Sequence, residues 1–463
     1  MMGWQAEPGQ LFYRFNLERH VPADHLLRRI DAVLDLGAIR TMLAPYYAAT
    51  GRPSVDPELM VRMLLIGYGF AIRSERRLCE EVHLNLAYRW FCRLGLEGAV
   101  PDHSTFSKNR HGRFRDSDLF RRLFEHVVRL CMHAGLVGGE GFAIDASVIE
   151  ADASRSRKVE GRPATWPEDE EVTRPVREYL DALDVAAAAI TPPPDGDMPP
   201  GNPPAEPKVT SLTDPPAAWT NKGQMKVAFA YGDNYLIDLR AAVIVDVQAT
   251  PARWSAEVDA TKTMLARTET RFGLKPQRLA ADAAYGSGLM IGWLMRRKIA
   301  PHVPILDREH QTKGMFTRAD FAFDAERNVF ICPGGKPLTN SGLVREDGTV
   351  PYWASTKDCG TCALKPGCTK GAKRIVTRNL FEAEREQVRA MQRTEAFQQS
   401  ARERKKIEML FAHLKRNLGL RRLRLRGLTG ASDEFLLAAT VQNLKKLVRF
   451  LAHGPPRPTT ASP

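Results

Sequence analysis

Apolar residues recur at helical spacing through most of the first 137 residues, with amphipathic runs at 24–43, 56–70, 74–95 and 116–134. Asp56-Pro57 and Ser74-Glu75 mark helix starts. A short oxygen-bearing side chain caps free N–H groups there, and proline needs no N–H partner in a first turn. Asp102-His103-Ser104-Thr105 reads as a turn capping a further helix. Residues 1–137 therefore predict a helical domain.

Near residue 138 the spacing changes. The runs 141–149 and 278–287 are almost continuously apolar, and each carries one aspartate, Asp145 and Asp282. Runs of this length suit strands buried on both faces. A charge on such a strand is costly unless it is paired or bound to a cation. Between them, residues 168–183 predict a charged helix, and TPPPDGDMPPGNPPAEP (191–207) predicts a flexible excursion spanning 184–210. Segments 227–231 and 235–247 flank Gly232-Asp233-Asn234, which predicts a hairpin turn there. A helix at 255–272, the Asp282 strand, a helix at 288–298 and a strand at 302–306 follow. Helical spacing returns at 433–452, and 453–463 reads as a disordered tail.

The segment 402–426 sets Glu408 into a strongly basic helix, with ten Lys/Arg against two Glu, a net +8. At roughly 100° per residue, Arg404, Glu408 and Lys415 fall within about 40° of one another. Ile407, Leu410, Phe411, Leu414 and Leu418 form the adjoining apolar stripe, while Lys405, Lys406 and Arg416 point elsewhere. One reading is a solvated basic helix with i,i+4 pairs. The other is a carboxylate poised to hold a metal ion beside a phosphate. Two strand aspartates plus a distant glutamate make the ligand set of a two-magnesium phosphoryl-transfer site.

Three motifs sharpen this choice: IDASVIEADAS around Asp145, ADAAYGS around Asp282, and Arg-x3-Glu-x6-Lys at Arg404, Glu408 and Lys415. Together they resemble the DDE catalytic core of bacterial insertion-sequence transposases. The stretches GRPSVDPELMVRMLLIGYGF, IRSERRLCEEVHLNLAYRWFCRLGL and VPDHSTFSKNR resemble that family's helical amino-terminal domain. The resemblance runs from about residue 10 to 450, in order. It implies an α/β fold with a ribonuclease H-like mixed sheet flanked by helices, behind an all-α amino-terminal domain. It also implies Asp145, Asp282 and Glu408 as catalytic ligands of Mg (or Mn), Arg404 and Lys415 as DNA-phosphate binders, and a homo-oligomer on DNA. One position departs from the family: Ala401 stands where a tyrosine often precedes the arginine by three.

Composition agrees with a nucleic-acid partner. The 463 residues are 43% hydrophobic, enough for a large core in two or three domains. A net charge of +13 and a pI near 9.5 favour a polyanion. Arg73, Arg76, Arg77, Arg89, Lys108, Arg110 and Arg113 are candidate contacts to DNA backbone, set against ordinary surface roles. His103 reads as a structural hydrogen-bonding residue. Residues 1–8 lack a signal-peptide pattern and the apolar stretch 61–72 is too short for a bilayer, so a cytosolic, nucleoid-associated protein is expected.

Residues 307–378 form a Cys-rich insertion, with Cys332 followed by Cys359, Cys362 and Cys368. Cys-x2-Cys beside a third cysteine is metal-ligand spacing and predicts a zinc-ribbon-like site; the alternative is a set of small buried hydrophobes. Cys79, Cys92 and Cys131 read as core residues. The expected division is 1–137 helical, 138–306 plus 379–452 catalytic, and 307–378 inserted. Asp152, Asp238, Asp246 and Asp259 compete with the chosen aspartates as caps, turns or solvent-facing positions, Asp152 being the strongest spare. Three other functions use parts of the pattern: a purely hydrolytic metal nuclease, an inactive DNA-binding regulator, and a zinc hydrolase. A regulator needs no intact carboxylate triad, and an all-cysteine zinc leaves no open position for hydrolysis.

Overall fold

The computed structural model describes residues 14–453 apart from 49, 52–53, 164–165, 167–172, 189–205, 222–225, 306–313 and 346. Residues 189–205 of the expected excursion, and all but His453 of the expected tail, lie outside the described residues. The chain forms two compact units. One comprises Met1–Leu136, Leu410–Leu425 and Thr429–Pro463; the other comprises Val137–Met409 and Arg426–Leu428.

The first unit is helical. Asp56 caps Pro57–Gly69 through the Glu58 N–H, Ser74 caps Glu75–Leu84, and Asp102 caps His103–Asn109. Two expected helices are each broken in two. Leu26–Val33 and Ala38–Leu43 are separated where Asp35 accepts the Gly37 N–H, and Asn85 closes Glu75–Leu84 while capping Leu86–Phe91. Leu119–His133 buries Phe120, Phe124, Val127, Val128 and Cys131 on one face. At the centre of the unit lies a buried ion cluster. Glu434 pairs with Arg73 and accepts the Leu425 N–H (2.7 Å), while Arg110 reaches Tyr68 Oη and Glu75, both at 2.8 Å. Burial alone would raise the Glu434 carboxyl, but Arg73, Arg110 and two backbone N–H groups hold it below its ordinary range.

The second unit is built on a six-stranded sheet. Its strands are β1 (Gly141–Glu150), β4 (Ala218–Thr220), β5 (Ala228–Asp238), β6 (Ile244–Pro251), β7 (Arg278–Ala280) and β8 (Ala300–His302). A separate pair, β2 (Lys158–Glu160) and β3 (Val209–Ser211), lies outside it. Strands β6, β5 and β1 are antiparallel neighbours; β1, β7 and β8 are parallel ones, and β4 borders the start of β5. Helices Trp254–Phe272 and Gly288–Arg296 connect β6 to β7 and β7 to β8.

Two local expectations are corrected. Gly232-Asp233-Asn234 is no turn: β5 runs straight through it, fully buried, and the chain reverses at 239–243, where Ala242 takes φ 54°. Glycine is needed at 232 for a non-local reason. A Cβ there would lie 2.8 Å from Thr250 Oγ1 and 3.5 Å from Glu257 Oε1. Likewise the strand at Asp282 ends two residues earlier, because Asp282 caps the 3-10 turn Ala283–Tyr285.

Residues 322–379 add a second β region. Strands β9 (Ala322–Asp324), β10 (Val329–Ile331) and β11 (Pro337–Leu338) form one sheet; β12 (Thr349–Trp353) and β13 (Ile375–Asn379) form another. Phe321, Phe330, Leu338, Tyr352 and Val376 make its own small core.

Candidate active site

The parallel register of β1 and β7 pairs Gly141 with Arg278 and Ala143 with Ala280. Asp282 follows the end of β7 by two residues, near enough to Asp145 for its charge to act on that carboxyl. The Asp145 carboxylate accepts the Ala146 N–H at Oδ1 (2.8 Å), and Asp282 Oδ1 accepts the Ala284 N–H (2.9 Å). Each carboxylate is thus oriented by its own backbone. Glu408 comes from the helix Glu395–Arg416. On the same helix, Arg404 donates from Nη1 to Asp145 Oδ2 at 3.2 Å and pairs through Nη2 with Glu408 Oε1 at 3.3 Å.

Charge crowding is visible at Asp145. Burial pushes its carboxyl up to about 6; the Ala146 N–H and Arg404 pull it down, and Asp282 and Glu408 push it further up. Tyr285 and Glu257, neither of them a candidate site residue by sequence, share this environment. Tyr285 is buried, with a hydroxyl that meets no hydrogen-bond partner among the described residues. Its phenol is raised far above its ordinary value by burial and by Asp145, Glu257 and Asp282. Glu257, near the start of Trp254–Phe272, is buried. Ala401 is exposed on the Glu408 helix; Tyr285, by contrast, is a phenol that feels the charge of Asp145 and Asp282. Lys415 lies at the end of that helix, within the other compact unit, and its carbonyl accepts from Arg421 Nε at 3.2 Å.

Two family models match the chain: Transposase domain (DUF772) over residues 15–112, and Transposase DDE domain over residues 331–448. These two matches support an insertion-sequence DDE transposase. The stretch matching the DDE domain contains Arg404 and Glu408, while Asp145 and Asp282 lie upstream of it.

Elsewhere in this transposase the candidate DNA-contacting arginines divide sharply. Arg73, Arg89 and Arg110 are structural. Arg73 and Arg110 serve the Glu434 cluster, and Arg89 is buried with its guanidinium on the carbonyls of Leu96 (2.8 Å) and Gly98 (2.6 Å). Arg113 bonds Ser54 and Asn109, both at 2.8 Å. Arg76 and Arg77 are exposed and pair with Glu80 and Glu81 one turn on; Lys108 is exposed. His103 is exposed and pairs with Asp102 at 3.3 Å. The competing aspartates have partners of their own. Asp238 holds the Gly138 and Gly139 N–H groups, Asp246 pairs with Arg267 (2.8 Å), Asp152 with Arg426 (3.1 Å) and Asp259 with Lys262 (3.2 Å). Asp238 and Asp246 are buried, not solvent-facing as their strand pattern suggested.

In the second β region Cys332, Cys359, Cys362 and Cys368 line one cavity of about 200 Å³. Cys332 follows β10 in a tight turn: its Sγ accepts the Lys336 N–H (3.3 Å), and Gly335 takes φ 73°. A Cβ on Gly334 would lie 3.7 Å from Cys332 Sγ and 3.9 Å from Cys362 Sγ, so both sulfurs border the same small space. Burial raises the Cys368 thiol; Arg374 lowers it, and the other three cysteines raise it further. Cys92 and Cys131 are core residues, whereas Cys79 is only half-buried. Among the described residues, no group of three or more His, Cys, Asp or Glu side chains is gathered closely enough to hold a metal ion as it stands. Nor, among them, is any helix long and apolar enough to cross a membrane.

Proposed function

We propose that this transposase belongs to a bacterial insertion sequence, cuts DNA at the ends of its element, and joins the freed 3′ ends to target DNA. The observation that carries the reading is the meeting of Asp145 and Glu408 across the Arg404 guanidinium, with Asp282 beside them. The order β6-β5-β1-β7-β8, two antiparallel pairings followed by two parallel ones, supports a ribonuclease H-like core.

Three carboxylates form a hard oxygen donor set, suited to Mg or Mn, and the strain on Asp145 is what such ions relieve. Asp145, Asp282 and Glu408 would hold them. When bound, they lower the pKa of an attacking water and neutralise charge on the leaving oxygen. The remaining work falls to the chain. The Ala146 and Ala284 N–H groups fix Asp145 and Asp282 before substrate arrives. Arg404 supplies permanent charge for a phosphate flanking the scissile bond, and Lys415 is proposed as a further contact to DNA phosphate. The +8 segment 402–426 draws in the DNA backbone. Joining two ends implies at least a dimer on DNA, and the substrate places the protein on the nucleoid.

A structural zinc ion in the inserted region completes the reading, held by Cys332, Cys359, Cys362 and Cys368. The shared cavity and the N–H···S bond to Cys332 support it.

The test is incubation of full-length protein with Mg²⁺ and a duplex carrying the element's end. The expected products are a nick exposing a 3′-hydroxyl and then strands joined to a second duplex. Asp145→Ala, Asp282→Ala and Glu408→Ala should each lose both products while still shifting the duplex in a gel. Nicked product without joining would reduce the protein to a nuclease, and full cleavage by Asp282→Ala would remove that residue from the site.

A further inference from the structure

Arg404 is placed where a cation would sit. Its two terminal nitrogens each take one oxygen, from Asp145 at 3.2 Å and from Glu408 at 3.3 Å. A metal ion shared by those carboxylates would draw on the same two negative charges, at about 2.1 Å. Guanidinium and ion therefore compete for the same pair of carboxylates. The Arg404 side chain is about one-fifth exposed (21%), so it cannot leave its anions without finding another. The backbone phosphate of DNA is such an anion, and its geometry matches the guanidinium fork.

We infer that Arg404 holds the metal-free site closed as a built-in counter-ion, and that DNA draws its guanidinium onto a phosphate and so opens the carboxylates to divalent metal. The inference rests on the carboxylate site proposed above, and adds to it a coupling between DNA and metal. Without DNA, Asp145 and Glu408 are occupied by a charge the protein already carries, so metal binds weakly. With DNA, the same side chain turns from competitor into phosphate ligand. The two ligands then favour each other, and by linkage the effect is equal in both directions. The device keeps a DNA-cutting centre unloaded until its substrate is present.

The experiment is Mn²⁺ titration of the full-length protein, read by electron paramagnetic resonance of free Mn²⁺, with and without an end duplex. Without DNA, Arg404→Gln should bind Mn²⁺ on the order of tenfold more tightly than wild type. Arg404→Lys keeps the charge but cannot span both carboxylates, so it should also bind more tightly than wild type. Arg402→Gln removes an exposed charge on the same helix, whose guanidinium bonds Gln399 and neither carboxylate among the described residues, and should alter Mn²⁺ binding without DNA only slightly. The duplex should tighten Mn²⁺ binding in wild type more than in Arg404→Gln. Equal affinities for wild type and Arg404→Gln would overturn the proposal. So would an Arg402→Gln shift as large as that of Arg404→Gln, since general charge would then explain both. Asp145→Asn separates the two levels of argument. If it leaves Mn²⁺ binding intact, the carboxylate site itself is wrong. If it abolishes binding while Arg404→Gln matches wild type, the site stands and the counter-ion role falls.

Discussion

Replacing Asp145 with asparagine should make the metal-free protein more stable at neutral pH, although it removes a proposed metal ligand. Burial, with Asp282 and Glu408 nearby, pushes this carboxyl from 3.8 to about 6 against the pull of the Ala146 N–H and Arg404. The folded chain therefore holds the proton more tightly than the unfolded chain. As pH rises from about 4 to about 6 the unfolded state binds fewer protons than the folded one, so stability falls across that window and stays low above it. A shift of about two units corresponds to roughly 3 kcal/mol once the group is fully ionised. The side chain is 20% exposed, and screening trims the figure to about 2–3 kcal/mol. Asparagine keeps the shape and cannot ionise. Its advantage over wild type should be near zero at pH 4 and reach about 2–3 kcal/mol by pH 7.5. Urea unfolding in chelator, followed by tryptophan fluorescence, reads this difference, since five of the seven tryptophans lie within Val137–Met409. An Asp145→Asn protein no more stable than wild type at pH 7.5, or one whose advantage does not change with pH, would rule out a destabilising charge at this position.

Other expectations follow from particular contacts. Glu434→Gln leaves Arg73 and Arg110 short of a counter-charge in the core of the first unit, and should cost about 3–5 kcal/mol in urea unfolding. Tyr285→Phe removes a hydroxyl with no partner among the described residues, so stability should change by less than about 1 kcal/mol. Single-turnover cleavage should nevertheless fall about tenfold if that hydroxyl serves the substrate; unchanged cleavage would leave Tyr285 a packing residue. Metal analysis of protein made in zinc-replete medium should find one zinc per chain. Cys359→Ala should lose it and lower the melting temperature, and zinc-free wild-type protein with unchanged melting would rule the site out.

The parts of the fold legible in the sequence are those set by local pattern. Caps at Asp56, Ser74 and Asp102 announce their helices because the capping oxygen and the N–H it takes are two or three residues apart. Asp145 and Asp282 stand out because charge interrupts apolar runs. What escaped the sequence is set by distant neighbours. Gly232-Asp233-Asn234 has turn composition, yet its glycine answers to Thr250 and Glu257 across the sheet. Arg73, Arg89 and Arg110 look like DNA contacts in a basic chain, but their anions and carbonyls are supplied by the fold. Helical spacing places Arg404 beside Glu408, but only the meeting of helix and strand reveals that Asp145 shares its guanidinium. Tyr285 lies inside the ADAAYGS motif, but nothing in its spacing tells that its phenol is buried beside the carboxylates.

Asp145, Asp282 and Glu408 are proposed to form one metal-dependent phosphoryl-transfer centre. The most direct measurement is anomalous diffraction from crystals of the protein bound to an end duplex and soaked with Mn²⁺. Two manganese peaks about 4 Å apart are expected, lying against these three carboxylates and the scissile phosphate. Manganese bound elsewhere, or a centre that leaves any of the three carboxylates remote, would contradict the proposal.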